Sequence, residues 1–147
     1  MRIRAARRDD FEDVARLLEE LGRPAVTPAT EADCRAVYEK QVFDPDSHHI
    51  VAEDERGVIA FASAHFRPRL NQPTEEVWVP DLIVTESARR RGIGRALLEE
   101  IENRARDRGC HMIQLESAYF RAEAHHMYRQ FKMRDLGKAF YKEVKKR

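Results

Sequence analysis

Residues Val77 to Leu98 read VWVPDLIVTESARRRGIGRALL, and the turn inside them, Arg89 to Gly94, decides how the rest of the chain is read. The apolar run Leu82-Ile83-Val84 leads into that turn, and an amphipathic stretch leaves it. The pattern is strand, turn, helix. The first amides of a helix lack intrahelical partners and sit at the positive end of the macrodipole, so they suit an anionic oxygen. Gly92 and Gly94, on either side of Ile93, remove the side chains that would keep a diphosphate away from those amides. Arg89, Arg90, Arg91 and Arg95 add charge-assisted donors around the same point. Two other glycine motifs fit poorly. A dinucleotide fingerprint needs a third glycine where Leu97 stands, and a Walker loop needs a Gly-Lys-Ser/Thr that is absent. Taken alone, two glycines among arginines read as a weakened helix start under a solvated cluster; the flanking strand and helix turn the reading toward an anion site.

Pro80 sits inside the preceding strand and cannot donate a ladder hydrogen bond. An edge strand would tolerate it. A bulge would too, and would free main-chain groups over Leu82, Ile83 and Val84 for an extended ligand, paired as an added strand would be.

Outward from this segment the chain resolves into short elements. Arg2 to Ala5 reads as a first strand, and Asp9 or Asp10 as the cap of a helix carrying Val14, Leu17, Leu18 and Leu21 at helical spacing and ended by Gly22. Thr30 can cap a second helix reaching about Gln41, stopped at Pro45. His49 to Ala52 and Val58 to Phe66 form a hairpin, and a polar loop, Arg67 to Thr74, leads into the strand Glu75 to Val84. The helix from about Gly92 to Arg108 has Leu97, Leu98, Ile101 and Ala105 as its inner stripe and ends at Gly109. His111 to Glu116 reads as a buried strand, Glu123 to Gln130 as a short helix, and Met133 to Leu136 with Ala139 to Val144 as a closing hairpin around Gly137. The expected class is a mixed α/β sheet with a bulged strand and flanking helices, with one parallel crossover from strand 75–84 to strand 111–116.

The 147 residues suit one domain, taken as 1–147. A 42% hydrophobic and 36% charged composition favours a compact, well-solvated globule. The net charge of +1, with acids and bases mixed, gives no support to nucleic-acid binding and little to a membrane surface. No apolar run approaches the ~18–20 residues of a membrane span. The charged N-terminus lacks a signal core. Cys34 and Cys110 fit no metal or redox spacing, so reduced thiols and a cytoplasmic setting are expected. The adjacent pairs His48-His49 and His125-His126 project in different directions and match no zinc motif, so no metal is expected.

These features together resemble the GNAT superfamily of acyl-CoA-dependent N-acyltransferases, whose element order matches over nearly the whole chain. The family motif, Gln or Arg-x-x-Gly-x-Gly or Ala after a Leu-x-Val strand, is met by Arg89, Gly92 and Gly94 after Leu82-Ile83-Val84. The resemblance implies acetyl-CoA as cosubstrate, with its pyrophosphate on the turn amides and its pantetheine along the strand. The stretch Leu115 to Tyr128, with Arg121, Glu123, Ala124, His125 and Tyr128, resembles the R-x-[DE]-A-H-x-x-Y of a branch acetylating small amines, and aminoalkylphosphonate N-acetyltransferases are the members it most resembles. Phe140-x-Lys142-x-Val144 is similar to that branch's final strand. Two departures stand out. The family's usual Gly-Phe or Gly-Tyr after the helix tyrosine is Lys132-Met133 here, so a left-handed turn would carry a non-glycine penalty and a different local turn is expected. The family's common asparagine seven residues before the tyrosine is Arg121.

Acyl transfer to an amine needs a deprotonated amine, a stabilised oxyanion and a protonated leaving thiolate. A backbone N–H at the bulge, of Val84 or Ile83, can serve the oxyanion. Tyr128 is the candidate general acid and Asp81 the leading general base, directly or through water; Glu76 and Glu116 are weaker alternatives. A carboxylate in that role needs a raised pKa or a water relay. His65 could face the acceptor, as could most residues near it. The first two helices with loop 23–29, together with loop 67–74, should wall the acceptor site, contributing Arg23, Arg67, Arg69, Glu31 and Tyr38. The arginines mildly favour a carboxylate or phosphonate on the substrate. The expected partner is a small-molecule amine, with neither nucleic acid nor membrane and with homodimer formation left open. A non-catalytic coenzyme A sensor and a protein- or tRNA-directed acyltransferase are the alternatives.

Overall fold

The computed structural model describes residues 1–116 and 122–144. Met1–Leu115 and Glu116–Arg147 are two compact units and are described separately.

The first unit carries seven strands, β1 (Arg2–Ala5), β2 (Ile50–Asp54), β3 (Gly57–Ala62), β4 (His65–Arg67), β5 (Glu76–Val79), β6 (Leu82–Val84) and β7 (Met112–Leu115), with helices α1 (Phe11–Leu21), α2 (Glu31–Val42) and α3 (Ile93–Arg108). The strands form two sheets, ordered β1-β2-β3-β6 and β4-β5-β7. The single strand expected over 75–84 is therefore two, parted at Pro80-Asp81, and the long arm expected over 58–66 is also two, parted at Ser63-Ala64. Both arms break at the same level, so one sheet hands over to the other. The expected crossover is present: β5 and β7 pair in parallel, from Glu76 opposite Met112 to Val79 opposite Leu115.

Each sheet face has its own core. On one side Ile93, Leu97 and Ile101 of α3 pack against Ala60, Ala62, Phe66, Val77 and Val79. Leu97, Leu98 and Ile101 are fully buried, each contributing on the order of 1.5–3 kcal/mol. On the other side Phe11, Val14 and Leu17 of α1 and Tyr38 of α2 cover Val51, Val58, Phe61 and Ile83. Alternation along the strands produces this two-sided burial.

Helix termini follow the sequence in part. Gly22 (φ 112°) and Gly109 (φ 78°) end α1 and α3 in left-handed turns. Arg23 N–H then reaches Leu18 O, and Cys110 N–H reaches Ala105 O, the Schellman pattern. Asp10 does not cap α1 with its side chain. Its buried carboxylate turns back to Arg4 (2.7 and 2.9 Å) and to the Arg7 amide (2.8 Å), so a short 3₁₀ turn, Arg8–Asp10, precedes the helix. Burial opposes the charge on Asp10, but these donors outweigh it and hold its pKa below the ordinary value.

The second unit contains helix α4 (Ala122–Gln130). Lys132 follows it with φ 69°, Lys132 N–H bonds Arg129 O and Met133 N–H bonds Tyr128 O, both at 3.0 Å. This corrects the expectation of a different turn. The left-handed geometry is kept, and Lys132 bears a penalty of about 1 kcal/mol for adopting it. The expected C-terminal hairpin is also corrected: residues 133–144 carry no strand, and Leu136, Phe140, Tyr141 and Val144 are exposed. Arg121 and most of the stretch before it, 117–120, lie outside the described residues.

Candidate active site

The break between the sheets is built from polar substitutions for lost ladder bonds. At the two ends of β6, Ser63 N–H donates to Asp81 O (3.0 Å) and Thr85 N–H donates to Ile59 O (2.9 Å), while Phe61 stands opposite Ile83. Antiparallel strands alternate bonded and non-bonded pairs. Ile83 therefore spends its N–H and C=O on β3, and Leu82 and Val84 turn theirs to the other edge, which carries no strand among the described elements. Leu82, Ile83 and Val84 thus divide: two present main-chain groups outward, and Ile83 does not. Arg89 Nε donates to Val84 O at 3.1 Å. What remains on the open edge is Leu82 N–H, Leu82 C=O and Val84 N–H.

Asp81 anchors the break itself. Its N–H donates to Ser63 Oγ (3.0 Å), Ser63 Oγ donates to Asp81 Oδ2 (2.7 Å), and Arg23 Nε and Nη2 donate to Oδ1 at 3.0 and 2.8 Å. Arg23 Nη2 also donates to Pro80 O at 2.9 Å. Arg23, on the loop after α1, thereby holds the carbonyl of the residue whose missing N–H opened the ladder. No sequence signal links these partners, which stand 58 positions apart.

Beyond β6 the chain makes a 3₁₀ turn, Glu86–Ala88, and then two left-handed residues, Arg90 (φ 65°) and Gly92 (φ 76°). Ala96 N–H is the first amide of α3 to find an acceptor, on Gly92 O (3.0 Å). Among the described residues, the amides of Arg91, Gly92, Ile93, Gly94 and Arg95 donate to nothing. A Cβ built on Gly92 meets nothing within 4 Å, so space lies open over these amides. Five unpartnered N–H groups at a helix start form the kind of nest that holds a phosphate. A coenzyme A diphosphate fits them.

The arginines are less free than the sequence suggests. Arg89 lies 3.5 Å from Glu20, Arg91 3.8 Å from Asp54, and Arg95 Nε donates to Glu99 at 3.1 Å. All three side chains are about half exposed, and exposed pairs contribute ~0–1 kcal/mol. Charge-assisted bonds to a diphosphate are stronger, so these partners can be exchanged.

On the sheet face away from α3, a row of rings crosses the break. His49 stands 5.8 Å from Phe61 and 5.0 Å from His65, and His65 stands 5.5 Å from Trp78, all centroid to centroid. His49 is a structural plug. Ala64 N–H, left without a strand partner, donates to His49 Nδ1 (3.2 Å), and the opposite ring nitrogen bonds Gln41 Oε1 (2.7 Å). Because Ala64 can only donate, Nδ1 accepts and the ring proton sits on Nε2. Burial, reinforced by His65, pushes the His49 pKa down to about 4. His49 is thus hydrogen-bonded and buried.

Glu76, on the same face as Trp78, is fully buried. Arg67 donates to it at 3.4 Å and Arg69 Nε makes a short hydrogen bond to its other oxygen. Burial opposes ionisation, but the two arginines hold its pKa below the usual carboxylate value. Arg67 also lies 4.7 Å over the Trp78 ring. Glu76 is thus a gripped anion anchoring loop 67–74, poorly placed to accept a proton. Tyr38, expected to wall the acceptor, instead donates its hydroxyl to Arg7 O (2.7 Å) and packs on Phe11.

In the second unit, Tyr128 is half-buried on α4, its ring 6.5 Å from that of His125. Glu116 accepts a short hydrogen bond from Tyr141 Oη. Among the described residues no group of three or more His, Cys, Asp or Glu side chains could hold a metal, and no helix is long and apolar enough to cross a membrane.

Comparison with known proteins agrees with this architecture. A transcriptional regulator from Bacillus halodurans C-125 superposes with a TM-score of 0.89 at 22% identity, over 97% of this chain and 99% of its own. Glucosamine-6-phosphate N-acetyltransferase from Arabidopsis thaliana gives 0.81 at 19% over 98% of each. A Trypanosoma brucei acetyltransferase gives 0.78 at 18%, over 97% and 99%. At these identities the likeness is one of fold. No curated protein sequence matches the chain. The family model described as Acetyltransferase (GNAT) family matches residues 11–133, which include the strand break, the amide nest and Tyr128. With the motif, the fold and the family model in agreement, the chain belongs to the GNAT acetyltransferase family and is an acyl-CoA-dependent acetyltransferase.

Proposed function

We propose that the chain, acting as one domain over 1–147, transfers the acetyl group of acetyl-CoA to the primary amine of a small molecule, by direct attack in a ternary complex. The observation that carries the small-acceptor reading is the sheet face away from α3. There α1 and α2 pack on β2, β3 and β6, and His65, Trp78 and Gln114 on β4, β5 and β7 lie outside that cluster, each half-buried. Three strands of three or four residues make a floor roughly 10 Å across. That suits a small molecule better than an extended peptide or an RNA. Arg23, Arg67 and Arg69 stand at its borders, each paired to a carboxylate yet at least a third exposed. An acceptor bearing a carboxylate or phosphonate beside its amine meets these cations, as expected for an aminoalkylphosphonate-like substrate.

When bound, acetyl-CoA supplies an activated thioester. The amides of Arg91 to Arg95 hold its diphosphate, aided by Arg89, Arg90 and Arg91. The open edge of β6 pairs with its pantetheine amides through Leu82, and Val84 N–H donates to the carbonyl oxygen as negative charge gathers there. Ile83 supports the edge through β3 and takes no part in binding. Tyr128 gives its phenolic proton to the departing sulfur. Asp81, with three donors on its carboxylate, keeps the break open and has one Oδ2 lone pair left to hold a water.

Thiol release from acetyl-CoA, measured with purified protein across a panel of amines with and without anionic groups, tests the reading. Turnover with small primary amines, best with a carboxylate or phosphonate, supports it. Acetyl-CoA binding without turnover on any amine favours the sensor reading, and turnover confined to peptides favours a protein acyltransferase.

A further inference from the structure

We infer that His65 is the group that takes the proton from the acceptor amine. This rests on the small-amine reading and adds a residue to it. His65 stands opposite Trp78 in the β4–β5 ladder, on the sheet face away from α3, and is half-buried. Its Nδ1 lies 3.4 Å from Ser47 Oγ. With the proton on Nδ1 and shared with that hydroxyl, Nε2 presents a lone pair, and Nε2 has no partner among the described residues. The two flanking rings, His49 and Trp78, at 5.0 and 5.5 Å, fix the plane of the imidazole.

The other basic groups nearby are occupied. His49 has one nitrogen on Ala64 and the other on Gln41. Asp81 carries Arg23 and Ser63, and Glu76 carries Arg67 and Arg69. His65 alone among them joins an open lone pair to a neutral form at pH 7. The charged groups around it are Asp81 at the break, Asp44 after α2 and Arg67 on its own strand. Burial holds its pKa below the ordinary imidazole value, while Asp81 and Asp44 pull it upward. Asp81 is then a positioning residue whose charge favours the imidazolium.

The step balances. The amine nitrogen bonds the acetyl carbon as the carbon–sulfur bond breaks, one proton passes from nitrogen to His65 Nε2, and one passes from Tyr128 to sulfur. The imidazolium then gives its proton to solvent and the Tyr128 phenolate takes one from solvent, which restores both groups.

The test uses wild type, His65→Gln, His65→Ala and Asp81→Asn, each checked for acetyl-CoA binding and urea unfolding. General-base loss should lower kcat about 100-fold or more in both His65 variants, with acetyl-CoA affinity within about twofold of wild type by the same assignment. The wild-type kcat/KM profile should show an acid limb lying below the ordinary imidazole range, absent from His65→Gln and retained in Asp81→Asn. Added imidazole should restore His65→Ala. Unchanged kcat overturns the assignment. So does a loss of activity that keeps the acid limb and resists imidazole, which would mark a structural role. Wild-type protein that binds acetyl-CoA but acetylates no amine overturns the underlying reading, and this assignment with it.

Discussion

Acidification from pH 7 to pH 5 should remove about 2 kcal/mol of folding stability through His49 alone. The ring is buried, accepts Ala64 N–H at Nδ1 and bonds Gln41 through Nε2, so a second ring proton would oppose the Ala64 amide. Its folded pKa is pushed down to about 4, against ~6.5 in an unfolded chain. A depressed histidine stabilises the fold fully above the unfolded value and progressively less as pH falls toward the folded one, because the unfolded state binds the proton first. That contribution reaches a loss of about 2 kcal/mol at pH 5 and about 3 kcal/mol at pH 4. His48 and His65 are depressed in the same direction, so wild type alone would overstate the effect. Urea unfolding of wild type and His49→Gln at pH 7.5, 6.5, 5.5 and 5 isolates it. The variant should start less stable and lose less on acidification, so the curves converge. Parallel curves over this window would refute the account of His49 as a neutral plug in the strand break.

Three further outcomes are expected. Gly92→Ala should cost about 1 kcal/mol of stability for its left-handed φ. Its methyl group enters open space over the amide nest, so acetyl-CoA affinity measured by calorimetry should fall by more than stability does. Tyr128→Phe should lower kcat about 100-fold with little change in KM for acetyl-CoA, and recover rate with leaving thiols of lower pKa. Glu76→Gln should destabilise by about 2 kcal/mol in urea, below the usual range for breaking a buried pair because Arg67 and Arg69 keep access to water.

The strand break and the amide nest were legible in the sequence because both are local. A strand, Pro80 and a glycine-containing helix start lie within one run of 22 residues, and their backbone consequences follow from neighbours in the chain. The contacts around Asp81 and His49 were hidden because they join residues distant in sequence. Nothing around Arg23 announces Asp81, and nothing around His49 announces the orphaned amide of Ala64. Ser63 looked like an ordinary strand residue, yet its hydroxyl stands in for a ladder group that the break removed. Ile83 and Val84 were equal candidates by sequence; only the register against Phe61 separates them. The hairpin expected after Met133 shows the opposite failure. Its alternation of apolar residues is real, but alternation without a partner edge does not make a strand, and those side chains are exposed. Lys132 keeps a left-handed turn because two backbone hydrogen bonds outweigh a modest steric penalty.

In the proposed complex acetyl-CoA lies along the open edge of β6 and ends on the amides before Ala96. Amide proton shifts recorded while titrating acetyl-CoA into labelled protein test it most directly. Large shifts are expected at Leu82, Val84, Gly92, Ile93 and Gly94, with Ile83, bonded into β3, moving little. Saturable binding that leaves Gly92 to Gly94 unmoved, or that shifts Ile83 as much as Leu82 and Val84, would contradict it.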